Sequence, residues 1–489
     1  MKIEGDYMET EVMDQITEQA LAEMHKNFEL TQTNKIDIEP EPIRDWSFGF
    51  LTGHRTTVIV SMILAIALLY VAQALVWPVA KAPHSILGYV WSWGALLWLG
   101  AVIPGTMGLI GLLAYRHSED LDDVKAIQNL VSFRIVSRGT NVEALTETIR
   151  RCQKEMARTP LFPYIIEVVT DSQNINLPPP NQDLSYITVP KKYATANESL
   201  YKARALHYAV EHSKLPDKAW IVHLDEETQP TPSGIKGICA MIQEEEISGQ
   251  LRIGQGAILY HRKWKEHPFL TLADNVRTGD DFARFHFQHQ LGLTIFGLHG
   301  SYIVVRNDIE KSTGFDFGPK GSITEDAFWA LVSMERGYRC RWVDGYLEEQ
   351  STHSISDFVK QRRRWFQGLA KVSLHAPVKL RWRLSLGINT ILWAIAPFAA
   401  LYTIAHLFVG FAHPALVRFL ANYSFASFVV LYTTGLRANL DEYGTKHFWK
   451  RVGWYAAQII MLPFFSLMES VGVMAAIFKP GSGFHVVKK

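Results

Sequence analysis

The sequence predicts an α/β domain built on a mostly parallel sheet and flanked by transmembrane α-helices. Two observations carry that expectation. Apolar stretches at 56–77 and 86–115 precede residues 116–356, and others at 384–411, 415–436 and 454–478 follow them. The first two contain no Asp, Glu, Lys or Arg, and each can span a hydrocarbon core that needs roughly 20 apolar residues. Between the two groups, short β-branched runs alternate with segments of helical periodicity, the pattern of βαβ units. The overall composition, 48% hydrophobic and 20% charged, hides this segregation behind globular averages.

Residues 1–50 read as a polar cytosolic tail with a short amphipathic helix around Met13 to Phe28. No small-residue cleavage site follows a basic start, so the first apolar stretch is a retained anchor and 51–115 a transmembrane hairpin. In the 116–356 domain, LVSFRIV (130–136), YIIEVV (164–169), LSYITV (184–189) and WIVHL (220–224) are strands. NVEALTETIRRCQKEM puts Val142, Leu145, Ile149 and Met156 on one helical face, with Thr140 and Glu143 as a capping box. NESLYKARALHYAVEH repeats the helical spacing, and LPPPNQD (177–183) is a loop. Residues 357–383 are expected to form amphipathic interfacial helices, 384–478 the C-terminal transmembrane segments, and 479–489 a tail.

A two-helix hairpin puts the tail and the central domain in the cytosol, and the basic RWR (381–383) and KHFWKR (446–451) agree. Five full crossings put GFHVVKK on the far side, so the last segment, with Pro463 and Glu469, is expected to be broken or re-entrant. Glu469 either pairs within the bundle or lines an acceptor path. A eukaryotic internal membrane and a bacterial plasma membrane both fit. Cys152, Cys239 and Cys340 stand far apart, against a disulfide framework or a zinc site. A net charge of +1 gives no nucleic-acid footprint.

In open parallel sheets, ligands sit beyond the carboxyl ends of the strands. Three polar tips lie at such ends, SRGTN, TDS and HLDEET. Carboxylates at i and i+2 point the same way, so Asp225 and Glu227 can share a hard cation such as Mn²⁺ or Mg²⁺; a solvated turn is the plainer reading of the run taken alone, and its position at the end of a buried strand favours the cation. Thr324, Glu325 and Asp326 open a helix, where acids suit the dipole and a carboxylate on a rigid terminus suits a general base. QRRRWFQGL, 361–369, satisfies a positive-inside bias or binds diphosphate oxygens through arginine forks. Trp365 offers a face on which a sugar ring can stack.

Taken in order, FRIVSRGTN, VVTD, KARAL, the DxD-like DEE, TED and QRRRW resemble the family 2 inverting glycosyltransferases of the GT-A fold, Rossmann-like and mostly parallel. HLDEET, GQG, TLAD, HGSY and QRRRW followed by QG resemble the egghead type of β-1,4-mannosyltransferase, which extends glucosylceramide with GDP-mannose. The resemblance implies that Arg138, Asn141, Asp171, Lys202, Arg204, Asp225, Gln361 and Arg364 bind a nucleotide sugar, GDP-mannose or a UDP-sugar. It implies that Asp225 and Glu227 hold Mn²⁺ or Mg²⁺, that Asp326 is the base, and that Glu325 and Trp365 meet the acceptor or diphosphate. A lipid or glycan acceptor and a bilayer complete the expected partners. Rivals are a processive polysaccharide synthase and a nucleotide-sugar-binding protein without turnover. A phosphohydrolase is disfavoured because no second cluster of metal ligands accompanies DEE.

Overall fold

The computed structural model describes residues 54–77, 80–116, 119–171, 177–262 and 264–479. The expected N-terminal tail and its amphipathic helix, and the C-terminal tail beyond residue 479, lie outside the described residues.

The strands are β1 (Val131–Ser137), β2 (Tyr164–Thr170), β3 (Leu184–Thr188), β4 (Trp220–Asp225), β5 (Gln229–Pro230), β6 (Ile253–Leu259), β7 (Ile303–Arg306) and β8 (Cys340–Glu348). They form one sheet in the order β3-β2-β1-β4-β7-β6-β8-β5. β3, β2, β1 and β4 are parallel; β7 runs antiparallel between β4 and β6, and β8 is parallel to β6. Val136 pairs with Asp225 and Ser137 with Thr170, so β1, β2 and β4 finish level and the polar residues after them must share one crevice.

A buried row of charges reinforces that register. Arg134 on β1 lies opposite Glu167 on β2 and His223 on β4. Its guanidinium, fully buried, pairs with Glu167 at 2.8 Å and with Glu310, which also meets His223 at 2.6 Å. A slip of one residue would turn these groups to the opposite face and strand their charges.

The longer helices are α1 (His54–Val76), α2 (Ile86–Ala114), α3 (Val142–Arg158), α4 (Tyr201–His212), α5 (Pro232–Ser248), α6 (Pro268–Asp280), α7 (Glu325–Glu335), α8 (Ile355–His375), α9 (Leu380–Val409), α10 (Ala415–Glu442) and α11 (Phe448–Phe478). Leu145, Ile149 and Met156 of α3 and Ile235 and Ile238 of α5 pack on one face of the sheet. Leu206 and Val210 of α4 and Trp329 of α7 cover the other. The cap of α3 is Asn141 rather than Thr140: Asn141 Oδ1 accepts the Ala144 N–H at 3.2 Å, one residue later than the expected box.

α1, α2, α9, α10 and α11 are long and apolar enough to cross a membrane. Two boundaries differ from expectation. RWR lies in the first turn of α9, so the interfacial segment ends with α8 at His375. α11 is one continuous helix through Pro463, not a broken segment. Helix-breaking residues are tolerated where neighbouring helices support the freed backbone, and α11 packs against α8, α9 and α10.

α6 crosses α10 at backbone distance. A Cβ on Gly435 would lie 1.9 Å from the Asn275 carbonyl oxygen, and one on Gly279 would lie 2.0 Å from that of Leu431. Asn439 donates to Asn275 at 2.9 Å, and Asn275 to Gln458 at 2.7 Å, tying the domain to α10 and α11. Gly435→Ala is therefore expected to destabilise the protein by about 1–3 kcal/mol through overpacking. Thermal melts of the detergent-solubilised protein test this, and an unshifted midpoint would refute the close crossing.

Candidate active site

A cavity of about 710 Å³ opens at the carboxyl ends of the parallel strands. Arg138 follows β1 into it, Asp171 follows β2, and Asp225, Glu226 and Glu227 close β4. Lys202 of α4, Glu325 and Asp326 of α7, and Gln361, Arg364 and Trp365 of α8 complete this polar end.

Lys202 stands at the centre of the acids. Its Nζ is 2.5 Å from Asp225 Oδ1 and 3.6 Å from Glu325 Oε1, and it donates to the Gly300 carbonyl at 3.0 Å. A Cβ on Gly300 would lie 3.0 Å from Lys202 Nζ and 3.2 Å from Asp326 Oδ2, so the missing side chain makes the cluster possible. Glu226 turns aside to take the Ser137 hydroxyl at 2.5 Å, joining the tips of β1 and β4. Arg204 pairs with Asp171 at 3.6 Å and donates to the Tyr193 carbonyl at 3.0 Å.

The electrostatics follow from crowding in a low-dielectric site. Burial raises the Asp326 carboxyl to about 7, with Glu325 adding to the rise and Lys202 opposing it. Glu325 is raised as well, chiefly by burial, against the pull of Lys202. Burial works against the charge of Lys202, but Asp225 and Glu325 more than offset it and hold its pKa high. Arg364 is lowered by burial while Glu325, Asp225, Asp326 and Glu227 favour its charge.

Asp225, Glu227, Glu325 and Asp326 are the carboxylates here that could hold a divalent cation together with a ligand's oxygens. The carboxylates of Asp225, Glu227, Glu325 and Asp326 outnumber the cations of Lys202 and Arg364 around one space. Among the described residues no group of three or more His, Cys, Asp or Glu holds an ion unaided. Magnesium-like ions are commonly held by one or two carboxylates plus phosphate oxygens, and Asp225 and Glu227 offer that donor set.

Residues 220–466 match the family model for glycosyl transferase family group 2. The chain is 31% identical over 422 residues to the β-1,4-mannosyltransferase bre-3 of Caenorhabditis briggsae, covering 84% of this chain and 91% of that protein. It is 30% identical over 415 residues to the β-1,4-mannosyltransferase egh of Drosophila melanogaster, covering 83% and 88%.

The chain belongs to glycosyltransferase family group 2.

Among solved structures, the mannosyltransferase PcManGT from Pyrobaculum calidifontis, in complex with GDP-Man and Mn²⁺, is similar at 13% identity and a TM-score of 0.42, over 86% of this chain and 100% of that one.

This glycosyltransferase combines the α/β, mostly parallel sheet expected of a GT-A fold with helices long and apolar enough to cross a membrane on either side in sequence. The structure brings all but one of the expected site residues to the cavity. Asn141, expected at the donor, instead caps α3, because the first amides of a helix require an acceptor. Trp365 lines the cavity, but its ring already carries guanidinium partners, Arg277 at 4.8 Å and Arg362 at 4.5 Å.

The sequence reading passed over several cavity residues. Arg277, Asp280, Arg284, His299, Glu349 and Asn389 add a polar belt to the same lining. Arg284 pairs with Asp280 and donates to Asn389 at 3.0 Å. HGSY, which contains His299, was the available signal. Beyond the belt the same cavity runs between α2, α9, α10 and α11, lined by Trp98, Leu392, Trp393, Phe425, Phe428 and Leu462. Glu469 pairs within the bundle, with Arg362 at 2.6 Å, and also lines the cavity.

Proposed function

We propose that this glycosyltransferase transfers one mannose from GDP-mannose to a lipid-linked acceptor such as glucosylceramide, with inversion to a β linkage. One observation carries the reading: a single cavity runs from the carboxylates at the strand tips into an apolar slot between helices. A sugar nucleotide requires the first environment and a lipid the second. Relatives that share most of its length are β-1,4-mannosyltransferases, which favours mannose. In this reading 116–356 is a cytosolic catalytic domain, with 51–115 and 384–478 in the bilayer.

Asp171 and Arg204 lie at the nucleotide, and Arg138 and Lys202 along the donor. Asp225 and Glu227 would hold Mn²⁺ or Mg²⁺, which when bound stabilises charge developing on the diphosphate. Gln361 and Arg364 close over the diphosphate, and Glu325 and Trp365 flank the acceptor. Asp326 accepts the proton of the acceptor hydroxyl. The acceptor oxygen then bonds to the anomeric carbon as the bond to the diphosphate oxygen breaks, and the electron pair leaves with GDP.

Purified protein with Mn²⁺, labelled GDP-mannose and glucosylceramide should give a product one hexose heavier by mass spectrometry. A hexose ladder would make it a polymer synthase, and transfer from UDP-sugars alone would remove the mannosyl reading. Asp225→Asn is expected to lower metal-dependent transfer by about 10²-fold or more, the order seen when one electrostatic stabiliser is lost. Unchanged turnover across a Mn²⁺ titration would take the metal role away from Asp225.

A further inference from the structure

A second, open groove of about 560 Å³ runs along the outside of the helices, walled by Tyr89, Val90, Trp93 and Leu96 of α2 and by Ile395 of α9. Leu97 and Gly100 wall this groove and the catalytic cavity at once. Tyr89 and Trp93 supply the only polar side-chain atoms in the groove lining. Its outer rim is well exposed: Val90 by 64%, Tyr89 by 57% and Trp93 by 48%.

The backbone changes at the same place. α2 tightens into a 3-10 turn over Gly94–Trp98, and such a turn within a longer helix often marks a functional hinge. At Gly94 the two helices touch, since a Cβ there would lie 2.2 Å from the Tyr402 ring. At Gly100 the nearest atoms across the gap belong to the side chain of Leu392, 3.0 Å from where a Cβ would be. Along the α2–α9 seam the Tyr402 hydroxyl donates to the Trp91 carbonyl at 2.7 Å, the Trp91 indole to His406 at 3.1 Å and the Trp98 indole to Thr403 at 3.0 Å, so passage beside Gly100 parts the last of these. Beside Gly100 the side chains of Leu97 and Leu392, which can change rotamer, line the catalytic cavity.

We propose that the groove holds a hydrocarbon chain of the lipid acceptor, which reaches the catalytic cavity laterally through the α2–α9 seam past Leu97 and Gly100. The proposal rests on the lipid-acceptor reading above and adds where the chain lies and how it arrives. A wall shared with the catalytic cavity at Leu97 and Gly100 distinguishes this groove from a face that merely contacts bulk lipid.

Val90 lines the groove but not the catalytic cavity and is exposed, so a larger side chain fits there without disturbing a packed core. Val90→Trp is expected to lower kcat/KM for long-chain glucosylceramide by at least about tenfold, since displacing a few methylenes from an apolar site suffices. Transfer to a short-chain glucosylceramide and the KM for GDP-mannose should stay within about twofold, and Val90→Ala should spare both acceptors. Equal effects of Val90→Trp on the two chain lengths would overturn the proposal.

A diazirine-tipped alkyl glucoside tests the groove without turnover. Labelling of residues 89–100 and Ile395 that long-chain glucosylceramide competes away supports the site. Uniform, uncompeted labelling of the helices would show bulk lipid only and overturn it. If the wild-type protein transferred to no lipid acceptor, the lipid reading would fail, and the labelling would still decide whether the groove binds a chain.

Discussion

Under the proposed mechanism Asp326→Asn is expected to lower transfer by at least about 10²-fold while the sugar nucleotide still binds. Loss of a positioned general base costs about 10²–10⁴-fold in rate, and the amide preserves the shape of the acid cluster. Isothermal titration should give a donor affinity close to that of the wild type. The pH dependence carries an independent signature. With the carboxyl raised to about 7 by burial and Glu325, the base form grows as pH rises through that value. The kcat/KM of the wild type should therefore climb toward a plateau above about pH 7, a limb set by the free enzyme. Stability runs the opposite way. A carboxyl raised above its unfolded value of about 4 binds more proton in the folded state, so stability falls as pH rises between the two values. Asp326→Asn removes that penalty and should raise the thermal midpoint at alkaline pH while abolishing activity. Retained transfer would reduce Thr324-Glu325-Asp326 to a helix start.

The parts of this site that were legible in the sequence share a physical cause. Asp225, Glu227 and Asp171 follow buried parallel strands, and a parallel sheet sends whatever follows its strands to one edge. Asp326 opens a helix, where the chain direction is equally constrained. The polar belt was not legible, because Arg277, Asp280 and Arg284 lie on and just after a helix whose apolar pattern says only that it is packed. Their common address arises from the crossing of α6 with α10, a contact between residues far apart in sequence. Asn141 shows a local ambiguity: a side chain after a strand tip can serve a ligand or the next helix, and here its oxygen accepts a helix amide. The unbroken α11 shows the same limit. Pro463 marks a weak point, and packing against three other helices decides whether the helix breaks there.

Arg362→Leu should unfold the junction between the catalytic domain and the helices. Motif reading selects Gln361, Arg364 and Trp365, yet the deepest arginine is the one between them, at 1% side-chain exposure. Arg362 donates to Glu469 at 2.6 Å on α11, to Asp274 at 2.8 Å on α6, and to Gln361 at 2.9 Å on its own helix. Its guanidinium also lies over Phe358 at 4.1 Å and over Trp365 at 4.5 Å. Gly472 on α11 makes the approach possible, since a Cβ there would lie 2.7 Å from that of Arg362. Removing the cation leaves two carboxylates facing each other in an apolar bundle, and breaking a buried pair in this way costs about 3–5 kcal/mol. The thermal midpoint in detergent should fall sharply, and a wild-type midpoint would show that the network bears no weight. Arg362→Lys separates stability from positioning: it keeps the charge but lacks the fork that reaches Asp274, Glu469 and Gln361 together. That variant should fold and bind GDP-mannose, with kcat reduced by about tenfold or more as Gln361 and Trp365 lose their alignment. Combining Arg362→Leu with Asp274→Asn and Glu469→Gln should restore the midpoint without restoring kcat. Recovery of both would mean that Arg362 serves the fold alone.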